Sequence, residues 1–282
     1  MNKFNYSYCI GLIFLAVMAS CQFDKKNKVK IHSQSKIVID TIFSENLNEN
    51  RLLSIYLPKG YMKSKIYPVV YSADGQIIVD SYKRTLDSLI DNKTIPEIII
   101  IGVHSNETNV PNTEFAYRNY EYIKGWETEG DTILERRYEN HYEFFTKEVI
   151  EYAERNYAVS SNKKDRIFYG TSNGAGLGVS IGAENPTLYS NYICFSMAGG
   201  NYENLNWTES NYPFYYLSYG EKEPFPLTIG IKEFEEFLIV NNYNHELTIY
   251  NGGHDRNMWR DEFFNVLPRI LAKITVHNRI DG

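Results

Sequence analysis

Cysteine is scarce in this chain of 282 residues, and none of its three copies has an evident partner. Cys9 and Cys21 precede a polar run at 22–35, and Cys194 stands alone in the apolar run Tyr192-Ile193-Cys194-Phe195. That distribution excludes a disulfide framework and a cysteine-based metal site, and it marks Cys194 as a buried structural thiol. An excess of basic residues is missing too. With 29 Lys and Arg against 35 Asp and Glu, the net charge is -6, and no Lys- or Arg-rich block occurs. Nucleic acid is therefore disfavoured as a partner, because its phosphates call for a basic face. Internal repeats and low-complexity tracts are also absent. The apolar run at 8–17 is too short to span a bilayer.

That short run fits an export signal. Lys3 supplies a positive start, residues 8–17 the apolar centre, and Met18-Ala19-Ser20 a small-residue cleavage site directly before Cys21. The arrangement resembles the lipobox of bacterial lipoproteins, with Met18 in place of the usual Leu. The resemblance implies that Cys21 is acylated, becomes the mature N-terminus and holds the protein stably at a membrane. A plain secretory signal with an incidental cysteine is the alternative. Residues 1–20 are thus expected to be a signal and 21–36 a flexible tether. Residues 37–282 are expected to form one domain, lipid-anchored in the bacterial cell envelope on the periplasmic or surface side of a membrane. A composition of 43% hydrophobic and 23% charged residues suits a single large core.

What is present is an alternation of strand-like and helix-like runs. Residues 37–43 and 51–57, rich in β-branched and aromatic side chains around a polar turn at 44–50, predict an antiparallel pair. Residues 67–72 predict a strand ending in Ala73-Asp74-Gly75-Gln76, followed by a helix over 78–90. The continuous apolar run at 97–103 has the character of a strand buried on both faces of a parallel sheet. Residues 104–132 have no clean period and predict a long functional loop. Helical spacing then runs from 133 to 157. Strands are expected at 166–169, 192–197, 214–219 and 245–250, with helices over 228–240 and 259–274. An antiparallel start followed by alternating elements predicts an α/β fold, mainly parallel, with helices on both faces. The 24 tyrosines suit a wet cleft for sugars or aromatic acids, although tyrosine also packs cores.

Gly170-Thr171-Ser172-Asn173-Gly174 has the G-x-S-x-G form of a nucleophile elbow, with a strand before it and a small-residue helix after. A dinucleotide turn would need glycine at 179, where Val179 stands. In parallel sheets the reactive groups gather at the carboxyl ends of strands. Ser172 ends one, Glu221 and Glu223 follow the next, and Gly252-Gly253-His254 follows the third. The order nucleophile, acid, histidine is the α/β-hydrolase order. His254 can take the serine proton and return it to a leaving alcohol, while a carboxylate at Glu223 or Glu221 holds its other ring nitrogen.

Five segments extend the pattern: R-L-L-S-I-Y-L-P-K-G-Y at 51–61, Y-P-V-V-Y-S-A-D-G-Q at 67–76, R-N-Y-E-Y at 118–122, G-T-S-N-G-A at 170–175 and G-G-H-D-R-N-M-W at 252–259. Together they resemble the "putative esterase" family, which includes enterochelin esterases, S-formylglutathione hydrolases and feruloyl and acetyl-xylan esterases. The resemblance covers nearly all of residues 37–274 and implies an α/β-hydrolase fold. It implies Ser172 as nucleophile, His254 as base and Glu223 as acid, with Glu221 as runner-up. The backbone N–H of Asn173 and one near Gly75 or Gln76 would form the oxyanion hole. Arg118, Glu121 and Tyr122 would shape the cleft or form an ordering ion pair within the loop, and Asp74 reads as a turn residue. The implied protein is a serine carboxylic-ester hydrolase with no metal or organic cofactor. Its substrate would be a siderophore ester or an acylated carbohydrate, feruloyl or acetyl. The acidic charge and lack of a basic clamp disfavour the siderophore. A catalytically silent member binding a glycan or partner is the alternative.

Overall fold

The computed structural model describes residues 34–280, apart from Glu129 and Asn204. The signal expected at 1–20, Cys21 and most of the tether expected at 21–36 lie outside the described residues. At the domain's edge, Ser35 Oγ–H donates to Asp87 Oδ2 at 2.7 Å, and the first strand starts at Lys36.

Eight strands form one sheet: β1 (Lys36–Ser44), β2 (Glu49–Leu57), β3 (Val69–Ser72), β4 (Ile99–Val103), β5 (Arg166–Thr171), β6 (Asn191–Phe195), β7 (Phe214–Gly220) and β8 (His245–Tyr250). Their order is β1-β2-β4-β3-β5-β6-β7-β8. The β1/β2 and β2/β4 pairs are antiparallel, and the others are parallel. This is the expected α/β-hydrolase architecture, with an antiparallel edge.

The apolar runs follow from burial on both faces. Along β4, Ile99, Ile101 and Val103 enter one core with Phe144, Phe168 and Leu177, whereas Ile100 enters the other with Leu86, Phe263 and Leu267. Successive side chains on a strand point to opposite faces, so a strand covered on both sides must be apolar throughout.

Helices α1 (Asp80–Asp91), α6 (Asn173–Glu184), α7 (Phe225–Val240) and α8 (Arg256–Ile280) match the expected ones in place. Two expectations need correction. The 104–132 segment is not all loop, because α2 (Tyr117–Tyr122) forms inside it. The helix expected over 133–157 is divided into α3 (Thr132–Glu135), α4 (Arg137–Glu143) and α5 (Val149–Asn156), with a π-helical turn at Phe144–Glu148 joining the last two. Tertiary contacts decide both cases, since Tyr120, Glu121 and Tyr122 of the short α2 are all buried.

Candidate active site

Strand β5 ends at Thr171, α6 begins at Asn173, and Ser172 between them has φ 55° and ψ −126°. A left-handed serine costs on the order of 1–3 kcal/mol and persists only where its surroundings hold it. Here Ser172 N–H donates to Phe195 O at 2.9 Å, and Ser172 C=O accepts from Ala175, Gly176 and Ala198 N–H at 3.0–3.2 Å. The turn is so tight that a β-carbon on Gly170 would stand 2.3 Å from the Gly174 carbonyl oxygen. Glycine is required there by the close approach of strand and helix.

The acid and histidine loops are joined to each other by backbone bonds. Glu221 N–H donates to Tyr250 O and Lys222 N–H to Gly252 O, both at 2.9 Å. His254 thereby reaches the elbow, with Nε2 at 3.1 Å from Ser172 Oγ and Nδ1 at 3.0 Å from Glu223 Oε2. An ionised carboxylate only accepts, so Nδ1 carries the proton and Nε2 faces the serine as an acceptor. Glu221, the other acid considered, is exposed, and it is Glu223 that meets the His254 ring. The His254 side chain keeps 26% of its surface open, whereas that of Glu223 has none.

The buried carboxylate is fully partnered. Its Oε1 accepts from Ser196 Oγ–H at 2.5 Å and Gly220 N–H at 2.9 Å, and the Tyr250 hydroxyl lies at 3.1 Å. Burial alone would raise its pKa; the bonds from His254, Ser196 and Gly220 outweigh burial and hold it below the ordinary glutamate value. Burial and the adjacent Glu223 charge push Tyr250 up to about 12. Trp259 Nε1–H donates to Ser196 Oγ at 2.7 Å, and its ring meets the His254 ring edge-on at 4.6 Å between centroids. Ser196 and Tyr250 were not singled out from sequence. Ser196 fell inside the strand expected at 192–197, which ends instead at Phe195, and Trp259 ends the G-G-H-D-R-N-M-W segment.

On the other side of the elbow, Asp74 ends the β3 turn with φ 54° and a three-residue 3₁₀ turn, Gly75–Ile77, follows. Asp74 is therefore more than the turn residue it resembled: Arg118 donates to its carboxylate from Nε at 2.6 Å and Nη2 at 2.8 Å. The expected roles of the R-x-x-E-Y residues are corrected accordingly. Arg118 does line the cleft, but Glu121 and Tyr122 are fully buried outside it and Arg118 does not pair with Glu121. Glu121 instead binds Arg51 Nη1 at 2.7 Å and Nη2 at 3.1 Å, together with Arg137 Nε at 3.0 Å. The Tyr122 hydroxyl accepts from Asp74 N–H at 3.2 Å.

Ser172 and His254 open into a cavity of about 450 Å³ whose walls include Tyr82, Tyr169, Trp259, Ile77 and Val79. No basic clamp was expected, yet Arg256 and Arg260 line this cleft beside Arg118. Asp74 matches Arg118, and Asp261 Oδ1 lies 2.8 Å from Arg260. Asn173 and Gly174 occupy the first turn of α6, where backbone N–H groups have no intrahelical acceptor. Among the described residues, no group of three His, Cys, Asp or Glu is disposed to hold a metal ion.

The arrangement supplies a serine hydroxyl at one cavity and an imidazole oriented by a carboxylate, groups suited to acyl transfer. A family model described as "Putative esterase" matches residues 44–214, more than half of the chain. Among solved structures, a ferulic acid esterase is similar over 86% of this chain and 99% of its own, with 22% identity and a TM-score of 0.68. A ferulic acid esterase from Anaeromyces mucronatus, solved in complex with ferulic acid, shares 20% identity over 83% of this chain and 90% of its own, with a TM-score of 0.63. An S-formylglutathione hydrolase from Staphylococcus aureus shares 13% identity over 86% and 99%, with a TM-score of 0.64. At these identities the structural likeness establishes the fold, and the family match carries the classification. The chain belongs to the "Putative esterase" family of α/β-hydrolase-fold proteins and is a carboxylic ester hydrolase.

Proposed function

We propose that this esterase works through an acyl-enzyme on Ser172. The observation that carries the reading is the unbroken chain Ser172 Oγ, His254, Glu223, whose serine and histidine line the cavity. Ser172 Oγ attacks the ester carbonyl as His254 Nε2 takes its proton, and Glu223 stabilises the resulting imidazolium. The oxyanion is met by the Asn173 N–H and by an N–H of the Gly75–Gln76 turn. Collapse of the tetrahedral intermediate expels the alcohol, which receives the proton from His254. Water, activated by the same imidazole, then releases the acid.

The aromatic walls suit a hydroxycinnamoyl-type acyl group on a carbohydrate, in line with the ferulic acid esterases of similar fold. Arg256 and Arg260 at the same cleft support a second reading, an anionic siderophore ester. The test is a kinetic panel of feruloyl, acetyl-xylan and enterobactin esters, beside fluorophosphonate labelling of the wild type and Ser172→Ala. Highest kcat/KM on feruloyl esters and labelling only of the wild type are expected. Equal labelling of both proteins would sink the acyl-enzyme, and highest activity on the trilactone would favour the siderophore reading.

We also propose that Cys21 is lipidated and tethers the enzyme to the cell envelope, on the strength of the apolar run at 8–17 and Met18-Ala19-Ser20. Cys21→Ala is expected to lose fatty-acid labelling and leave the membrane fraction. An unchanged distribution would sink the anchor.

A further inference from the structure

The turn proposed to carry the second oxyanion donor is held by contacts from outside it as well as by its own hydrogen bonds. Asp74 has a left-handed backbone that non-glycine residues adopt at a cost. Three contacts from outside the turn hold it. Ala73 N–H donates to Tyr169 O at 2.9 Å, tying the turn to β5, and Asp74 N–H donates to the Tyr122 hydroxyl. Arg118 closes on both carboxylate oxygens, and its guanidinium lies 4.8 Å from the Tyr122 ring centroid. Two-point Arg–carboxylate pairing fixes direction as well as distance.

The same carboxylate has an electrostatic consequence. A β-carbon at Gly174, in the first turn of α6, would lie 3.1 Å from Asp74 Oδ2. The Asp74 charge therefore stands beside the elbow, where an ester oxygen turns negative during reaction. An uncompensated carboxylate there would oppose that charge, and Arg118, with a side chain only 16% exposed, cancels it.

We propose that Arg118 is a positioning residue for the oxyanion hole: it clamps the Asp74–Gln76 turn in place and neutralises the carboxylate that borders the developing oxyanion. The clamp rests on the Ser172 acyl-enzyme reading. It reaches Arg118 from the buried Glu121, which pins α2 to Arg51 of β2 and Arg137 of α4.

The experiment is steady-state hydrolysis of p-nitrophenyl acetate by the full-length chain and its variants. Arg118→Gln is expected to lower kcat about 100-fold, the scale of a lost oxyanion donor. KM should move by less than about threefold, because a group acting only in the transition state leaves ground-state binding alone. Arg118→Lys, which keeps the charge and loses the two-point geometry, should fall between, about tenfold below wild type. Adding Asp74→Asn to Arg118→Gln should recover at least about tenfold of the lost kcat, since the opposing charge is gone. A purely structural Arg118 would make that double variant no better than the single one. The clamp is overturned if Arg118→Gln and Arg118→Lys keep wild-type kcat, if the loss falls on KM, or if the double variant recovers nothing. If Arg118→Gln does not fold, Arg118→Lys decides. An inactive wild type would overturn the acyl-enzyme and the clamp with it, whereas an active wild type with unaffected variants overturns the clamp alone.

Discussion

At the scale of single residues, the chemistry depends on charges placed where solvent cannot moderate them. Glu223 shows how: a buried carboxylate would be costly, yet donors from Ser196 after β6, Gly220 at the end of β7 and His254 after β8 make it an ionised anchor for the imidazole. Glu223→Gln keeps the shape but places an amide where the Nδ1 proton needs an acceptor, which favours the wrong tautomer. We expect kcat to fall by about 1,000- to 10,000-fold, as for other acid members of such triads. Glu221→Gln should leave kcat near wild type. If the second variant loses most of its activity and the first does not, Glu223 is not the acid. The serine and histidine were legible from sequence because glycines mark their turns. The choice between Glu221 and Glu223 was not, because both follow the same strand and only the fold of the loop decides which one turns inward.

At the scale of elements, the segment between β4 and α3 departs most from its sequence pattern. Tyr117–Tyr122 is too short to be a helix by its own propensity. It forms because Glu121, fully buried, meets Arg51 and Arg137. Paired charges of this kind add little net stability over an apolar core, but removal of one partner strands the others. Glu121→Gln should therefore lower the unfolding free energy by about 3–5 kcal/mol in urea titrations. A loss under about 1 kcal/mol would mean that α2 is held by its tyrosines instead. Reading 118–122 alone suggested a local Arg118–Glu121 pair. Arg51 is 70 residues from Glu121 in the chain, a separation that no local pattern reports.

At the scale of the molecule, the buried charges set how the enzyme responds to acid. Burial would raise the Glu121 pKa, but the surrounding His141, Arg51 and Arg137 bring it from 4.5 to about 2. His141, fully buried, is lowered from 6.5 to about 3 by desolvation and the two guanidiniums, against the pull of Glu121. Both folded values lie below the unfolded ones, so the unfolded chain binds more protons as pH falls. Stability is then complete above about pH 6.5 and declines with acidification, first through His141 and later through Glu121. Glu223, also lowered, acts in the same direction. We expect the thermal midpoint to drop as pH falls from 6.5 to 4.5 and His141→Phe to flatten that decline. An equally steep decline in the variant would exclude His141 as its source.

The sequence by itself determined the layered α/β architecture, since the continuous apolar runs of strands buried on both faces and the spacing of amphipathic helices are written in local hydrophobicity. It also determined the elbow, where Gly170 is needed for close backbone approach, and it marked the histidine loop by its Gly252-Gly253 pair. Only the tertiary structure decided which glutamate faces His254, that Ser196 and Tyr250 hold it, and that Arg118 answers Asp74 across 44 positions of chain. Hydrogen bonds and ion pairs act over a few ångströms in space whatever the separation in sequence, so their partners exist only once the chain has folded.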